Sequence, residues 1–240
     1  MQSKCARLDR FVSVKTGINR KDVRSMLAQK RLKVDGDFAT DIHQLINEFT
    51  HVVLDETVLQ AKAPVYIMMN KPIGVVSATK DEKHKTVIDV LNENFTSDID
   101  SSSLHIVGRL DFKTSGLLLL TNDGRWSRNL TTPEQKIEKL YCVTLAHPIN
   151  KNYIQAFAEG MYFPYENITT KPAKLEIIND YVAHVRLVEG RYHQIKRMFG
   201  RFQNPVIGLH RMAIGKLQLD AALLPAESRL LTEHEVLHIG

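Results

Sequence analysis

The stretch GRLDFKTSGLLLLTNDG, residues 108–124, places one carboxylate, Asp111, in a short polar loop between two apolar segments. A loop of that kind can hold a carboxylate at the mouth of a cleft, where it can serve as a nucleophile or a proton carrier. Thr114, Ser115 and Gly116 suit a turn whose N–H groups could reach the carboxylate. An ordinary turn Asp that caps its own loop has the same spacing. A second stretch, RLVEGRYHQIKRMFGRF at 186–202, sets Arg186, Arg191, Lys196, Arg197 and Arg201 against the single acid Glu189. Ile195, Met198, Phe199 and Phe202 follow i, i+3, i+4, i+7 spacing, so they share one face of a helix. The cations then line other faces, where they suit a phosphate backbone or can aim one charge at a carboxylate. A solvated surface helix has this pattern too. His193, beside Lys196, is a candidate base. In EKLYCVTL, residues 138–145, Tyr141, Val143 and Leu145 share one strand face, so Tyr141 is either a core residue or the aromatic wall of a site.

These side chains need elements to hold them. Leu8, Phe11 and Val12, then Val23, Met26 and Leu27, give two short helices broken at Gly17 and Asn19. Leu32 to Val34 alternates ahead of the Asp35-Gly36 turn signal, and His51 to Leu59 reads as one further strand. QAKAP (60–64) reads as a linker. Beyond it, VYIMMNKP is strand-like up to Pro72, 74–78 is a short extended piece, and TVIDVLN (86–92) suits a helix. Thr132-Pro133-Glu134-Gln135 carries the signature of a helix start. Strands follow at 139–146, 173–178 and 182–188, with helices at 150–160 and 191–202. Strands mixed with isolated helices predict an α+β fold: a unit over 1–60, a linker at 61–64 and a sheet domain over 65–240.

The 240 residues carry a net charge of +5 and 43% apolar residues, so a core can form and an anionic partner is favoured. The charge is uneven. Residues 1–33 hold ten Lys/Arg against two Asp, whereas 34–59 hold six acids and no Lys/Arg. Cys5 and Cys142 are far apart, which argues against a disulfide framework and for a reducing compartment. No apolar leader and no membrane-length apolar run is seen. The expectation is a cytoplasmic protein without membrane association, metal or cofactor.

Taken together, the motifs resemble the RsuA-type pseudouridine synthases. GRLDFKTSGLLLLTNDG is similar to their signature, KLYCVTL to their Tyr-bearing strand, and EGRYHQIKRMF to a third motif. TKPA (170–173), LHRMAIGKLQL (209–219) and RLLTEHE (229–235) follow in order. Residues 7–36 resemble an S4 RNA-binding domain. The resemblance implies a mixed, mostly antiparallel sheet in two halves with a cleft between them. It also implies isomerisation of uridine to pseudouridine in 16S ribosomal RNA, at the family's position-516 uridine; the expected partner is 16S ribosomal RNA in a partly assembled small subunit, and the default expectation for the protein is a monomer. Asp111 would be the sole nucleophile, Tyr141 would stack on uracil, and Lys196, an Arg in many relatives, would keep Asp111 ionised. Arg109 would fill the gap left by the extruded base. Lys113 stands where the family often has an acid. RNA contacts are expected from Lys4, Arg7, Arg10, Arg20, Lys21, Arg24, Lys30 and Arg31 in the first unit, and from Arg191 and Arg197. Two rival readings are the same reaction on large-subunit RNA and a non-catalytic ribosome-assembly factor. HQIK argues against the first, and the intact Asp111, Tyr141 and Lys196 set argues against the second.

Overall fold

The computed structural model describes residues 5–96 and 98–240; Lys4 lies outside the described residues. The chain divides into two compact units, 1–64 and 65–240. In the first, helices Leu8–Thr16 and Arg20–Ala28 are separated as Gly17 and Asn19 require. Gly17 takes a left-handed φ of 76° at the end of one helix, and the Asn19 side chain caps the next by accepting from the Lys21 N–H. Leu8, Val12 and Val23 from the helices meet Leu32, Val34, Val52 and Leu54 from a four-stranded sheet in one core. The single strand expected over 51–59 is a hairpin of Val52–Leu54 and Thr57–Gln60. Asp55, at φ 54°, turns the chain between them.

The second unit is built on a nine-stranded sheet. Along its main path the strands run Lys174–Asn179, Val182–Leu187, Lys139–Leu145, Val206–Ile214, Ser115–Thr121, Tyr66–Lys71 and Ser228–Leu230. Every pairing in it is antiparallel except Val206–Ile214 with Ser115–Thr121, which are parallel and pair only through His210–Ser115 and Arg211–Gly116. That two-residue seam divides the sheet into two halves, each with a core of its own, while a third core of Met68, Leu117, Leu119, Ile214 and Leu217 spans it. One core packs Val143, Val185, Phe157, Met198 and Phe199; the other packs Ile67, Met69, Leu118, Leu120, Val87 and Leu91. Tyr141 touches both.

The periodic segments fold as expected. Helix Val87–Asn94 starts on a Thr86–Asp89 capping box, and Asn152–Glu159 ends at Gly160. Two readings are corrected. Residues 132–135 begin no helix: Pro133–Gln135 is a single 3-10 turn stopped by Lys136 at φ 50°. The helix lies upstream, Gly124–Thr131, capped by the Asp123 carboxylate on the Arg125 and Trp126 N–H groups. The piece at 74–78 is no strand, and contributes only a bridge from Val76 to Thr86.

Candidate active site

Asp111 sits in the loop that enters strand Ser115–Thr121, at the seam. The loop is held through its main chain by three side chains from other elements. Lys71, fully buried at the end of its strand, donates from Nζ to the carbonyls of Pro72 at 3.0 Å, Asp111 at 3.2 Å and Thr114 at 2.9 Å. Burial pushes this ammonium down to about 8 against the pull of Asp111. Arg211, also buried, donates from Nε to the Leu117 carbonyl at 2.7 Å and from Nη2 to Gly108 at 3.0 Å. Ser77 Oγ donates to the Leu110 carbonyl and accepts from the Leu110 N–H, at 2.7 and 3.1 Å. The Thr114 N–H donates to the main-chain carbonyl of Asp111 at 3.0 Å, not to the carboxylate as the turn chemistry suggested.

With its backbone fixed, the carboxylate faces helix Gln194–Gly200. His193 Nε2 lies 3.5 Å and Lys196 Nζ 3.9 Å from Asp111 Oδ2. The helix is shorter than the expected 191–202 because residues 189–194 form a separate knot. The buried Glu189 carboxylate accepts from the Lys171 N–H, Gln194 Nε2 and Arg191 Nε at 2.9, 2.6 and 3.1 Å. Ile195, Met198 and Phe199 bury the opposite helix face in the core. Asp111, Tyr141, Lys196, His193 and Arg109 line one cleft of about 350 Å³. Arg109 is exposed at its rim. The arrangement offers one carboxylate, a histidine and a lysine on one side of it, and an aromatic wall. That is the equipment of single-carboxylate covalent chemistry.

A family model for RNA pseudouridylate synthase matches residues 65–200, the unit that holds this cleft. The chain belongs to the RNA pseudouridylate synthase family. It is a pseudouridine synthase, an isomerase. It is 46% identical over 231 residues to the ribosomal small subunit pseudouridine synthase A of Pseudomonas aeruginosa, covering 96% of this chain and 98% of that one. The protein of that name from Escherichia coli (strain K12) is 39% identical over 231 residues, covering 96% and 98%. A solved pseudouridylate synthase structure superposes with a TM-score of 0.69 at 37% identity, covering 98% of this chain and 99% of that one.

Within the pseudouridine synthase unit, Lys71, Ser77 and Arg211 escape the sequence reading, although a signal for Arg211 exists. Leu209, Arg211 and Ala213 alternate on one strand face, so an Arg falls where only a buried residue belongs. Arg197 does not reach the cleft. It pairs with Glu166, Nη1 to Oε1 at 2.6 Å, and lies 3.8 Å over the Phe163 ring. Arg191 is held by Glu189 while its side chain stays 40% exposed.

In the first unit, Arg10, Lys21, Arg24 and Lys30 are exposed and, among the described residues, form no ion pair. Arg7 and Arg20 both pair with the buried Asp9, at 2.9 and 2.8 Å, and Arg31 with Asp55. The expectation of no metal rests on the absence of an HExxH pattern, and that basis is corrected: HEVLH at 234–238 is one. There Glu235 is engaged by Arg229 and caps its own helix on Thr232, while the His234 and His238 rings stack 4.2 Å apart. Among the described residues no third ligand joins them.

Proposed function

We propose that this pseudouridine synthase acts on 16S ribosomal RNA of the small subunit, at the position-516 uridine, with Asp111 as its nucleophile. The observation that carries the reading is the lone Asp111 carboxylate, rigidly mounted in the cleft and faced by His193 and Lys196. The subunit assignment is supported by what the relatives at 39–46% identity are named for.

The reaction breaks the C1′–N1 bond and joins C1′ to C5. It takes a proton off C5 and puts one on N1, so it balances without a co-substrate. Asp111 serves by adding to ribose C1′ or uracil C6, or by promoting elimination at the sugar. Each route needs a carboxylate that stays ionised, and Lys196 supplies the neighbouring positive charge. Tyr141 walls the cleft so that the freed uracil stacks and stays caged while it turns. The target leaves its stack to reach Asp111, at a cost of a few kcal/mol, which favours an irregular RNA site. Arg109 stands at the rim to take the vacated place. The first unit acts as an S4-type RNA-binding module, with Arg10, Lys21, Arg24 and Lys30 on its phosphate-facing surface.

The test is tritium release from C5-labelled uridine in small-subunit RNA, bare and bound to ribosomal proteins. Stoichiometric release by wild type, and none by Asp111→Asn with RNA binding kept, is the expected result. Release from the protein-bound particle alone would name an assembly intermediate as substrate. Release from large-subunit RNA alone would overturn the subunit assignment, and turnover by Asp111→Asn would overturn the nucleophile.

A further inference from the structure

Tyr192 is 75% exposed, yet its position is tightly specified. Its ring lies on that of His193, centroids 4.0 Å apart and planes within 18°. Its carbonyl accepts from Arg197 Nη1 at 3.1 Å, and Arg197 is itself locked by Glu166 and Phe163. His193 holds a left-handed φ of 50° at the start of its helix, a conformation that non-glycine residues keep only where the surroundings impose it, often at functional sites. Burial does not explain this arrangement, because three quarters of Tyr192 stays exposed and it belongs to no core. Among the described residues its hydroxyl has no hydrogen-bond partner.

The order of groups does explain it. His193 Nε2 is 3.5 Å from Asp111, one ring face of Tyr192 rests on His193, and Tyr192 lines the same cleft. Asp111, His193 and Tyr192 therefore form a series from the reacting position outward, ending in an open aromatic face. An open tyrosine face stacks nucleobases of any sequence. Arg191, next along the chain, lines the same cleft and is 40% exposed, with its Nε on Glu189.

We infer that Tyr192 is a stacking subsite for the nucleobase adjoining the extruded uridine, held in place by His193. This rests on the reading of the cleft as the uridine site, and makes Tyr192 a substrate-positioning residue. The experiment compares wild type, Tyr192→Leu and Tyr192→Phe on short single-stranded RNAs around the target uridine. One RNA is intact, one is abasic at the 5′ neighbour and one at the 3′ neighbour. Dissociation constants come from fluorescence anisotropy, and KM and kcat from tritium release.

On intact RNA, Tyr192→Leu is expected to weaken binding and raise KM about tenfold, with kcat moving less than twofold, while Tyr192→Phe stays near wild type. On one of the two abasic RNAs the Leu penalty disappears. An unchanged dissociation constant for Tyr192→Leu overturns the inference, as does a penalty that persists on both abasic RNAs. The anisotropy comparison decides even if no tritium is released, so failure of the small-subunit reading is told apart from failure of the stacking subsite.

Discussion

Lys71 Nζ donates to the main-chain carbonyl of Asp111 at 3.2 Å, so the residue with the candidate nucleophile is held from behind by a buried cation. The same ammonium takes the carbonyls of Pro72 and Thr114, which closes the loop into a fixed shape before any substrate arrives. Lys71→Met takes the buried donor from the Pro72 and Thr114 carbonyls and leaves the Asp111 carbonyl only the Thr114 N–H. A loss of about 3 kcal/mol is expected, lowering Tm by about 6–12 °C. A fall in kcat beyond what the unfolded fraction explains should accompany it. Thermal melts beside single-turnover rates at 20 °C would show this, and a full rate with a lowered Tm would reject the positioning role.

The titration of Lys71 gives a second expectation. Burial pushes it down to about 8. Below that pH the ammonium has three N–H groups for three carbonyls; above it a neutral amine has two. Turnover should therefore fall on an alkaline limb near pH 8. Stability should not follow, because a lysine depressed in the folded state sheds its proton there first. Between about pH 8 and 10.5 the unfolded chain then binds more protons, and this group's contribution rises with pH. The ¹³C shift of Lys71 Cε, followed against the pH–rate profile, checks the assignment.

The parts legible in the sequence were those with a local period or a local motif. The Asp111 loop, the Tyr141 strand and the Ile195-Met198-Phe199 helix face are all of this kind. The supports of the loop were not legible, because Lys71 reaches the Asp111 and Thr114 carbonyls 40 and 43 positions away and Arg211 reaches carbonyls 94 and 103 positions away, and no local pattern encodes which carbonyl a buried cation will meet. Helix Gly124–Thr131 was hidden by its neighbour: the Thr132-Pro133 signature is the stronger local signal, but Thr132 Oγ1 donates back to the Arg128 carbonyl and ends the earlier helix. The hairpin at 52–60 was hidden because its turn is Asp55-Glu56, without the glycine that marks such turns.

Gly116, in the middle of the signature, has φ 103°, and a Cβ there would lie 2.3 Å from the Arg211 carbonyl oxygen and 2.7 Å from its nitrogen. Neither atom can move without breaking the two-residue seam between the sheet halves. Gly116→Ala is expected to cost more than about 3 kcal/mol and to yield little soluble protein. A soluble variant with a wild-type Tm would show that the seam can part without loss.

Asp9 sets the acid limit of the first unit. Burial raises its pKa, but hydrogen bonds from Arg20, Arg7 and the Arg10 N–H outweigh that and hold it at about 2. A carboxylate depressed in the folded state stabilises fully above its ordinary value near 4 and loses that contribution as pH falls through about 2. Wild-type Tm should decline across this window. Asp9→Asn should start lower at neutral pH and decline less, as read by circular dichroism melts from pH 6 to 2. Parallel curves would reject Asp9 as the source.

Lys196 Nζ stands 3.9 Å from Asp111 Oδ2 with both side chains partly exposed. A pair of that kind contributes under about 1 kcal/mol to folding, so the proposed function assigns its value to the reaction. On the proposed mechanism, a charge beside a carboxylate that must stay ionised acts more strongly where bound RNA displaces water. Lys196→Met is therefore expected to lower the single-turnover rate about 100-fold with Tm unchanged. Lys196→Arg keeps the charge but replaces a point donor with a planar fork, and should lose about tenfold. A Met variant within threefold of wild type would transfer the electrostatic role to His193, the other group facing the same oxygen at 3.5 Å, and His193→Asn would then be expected to carry the larger loss.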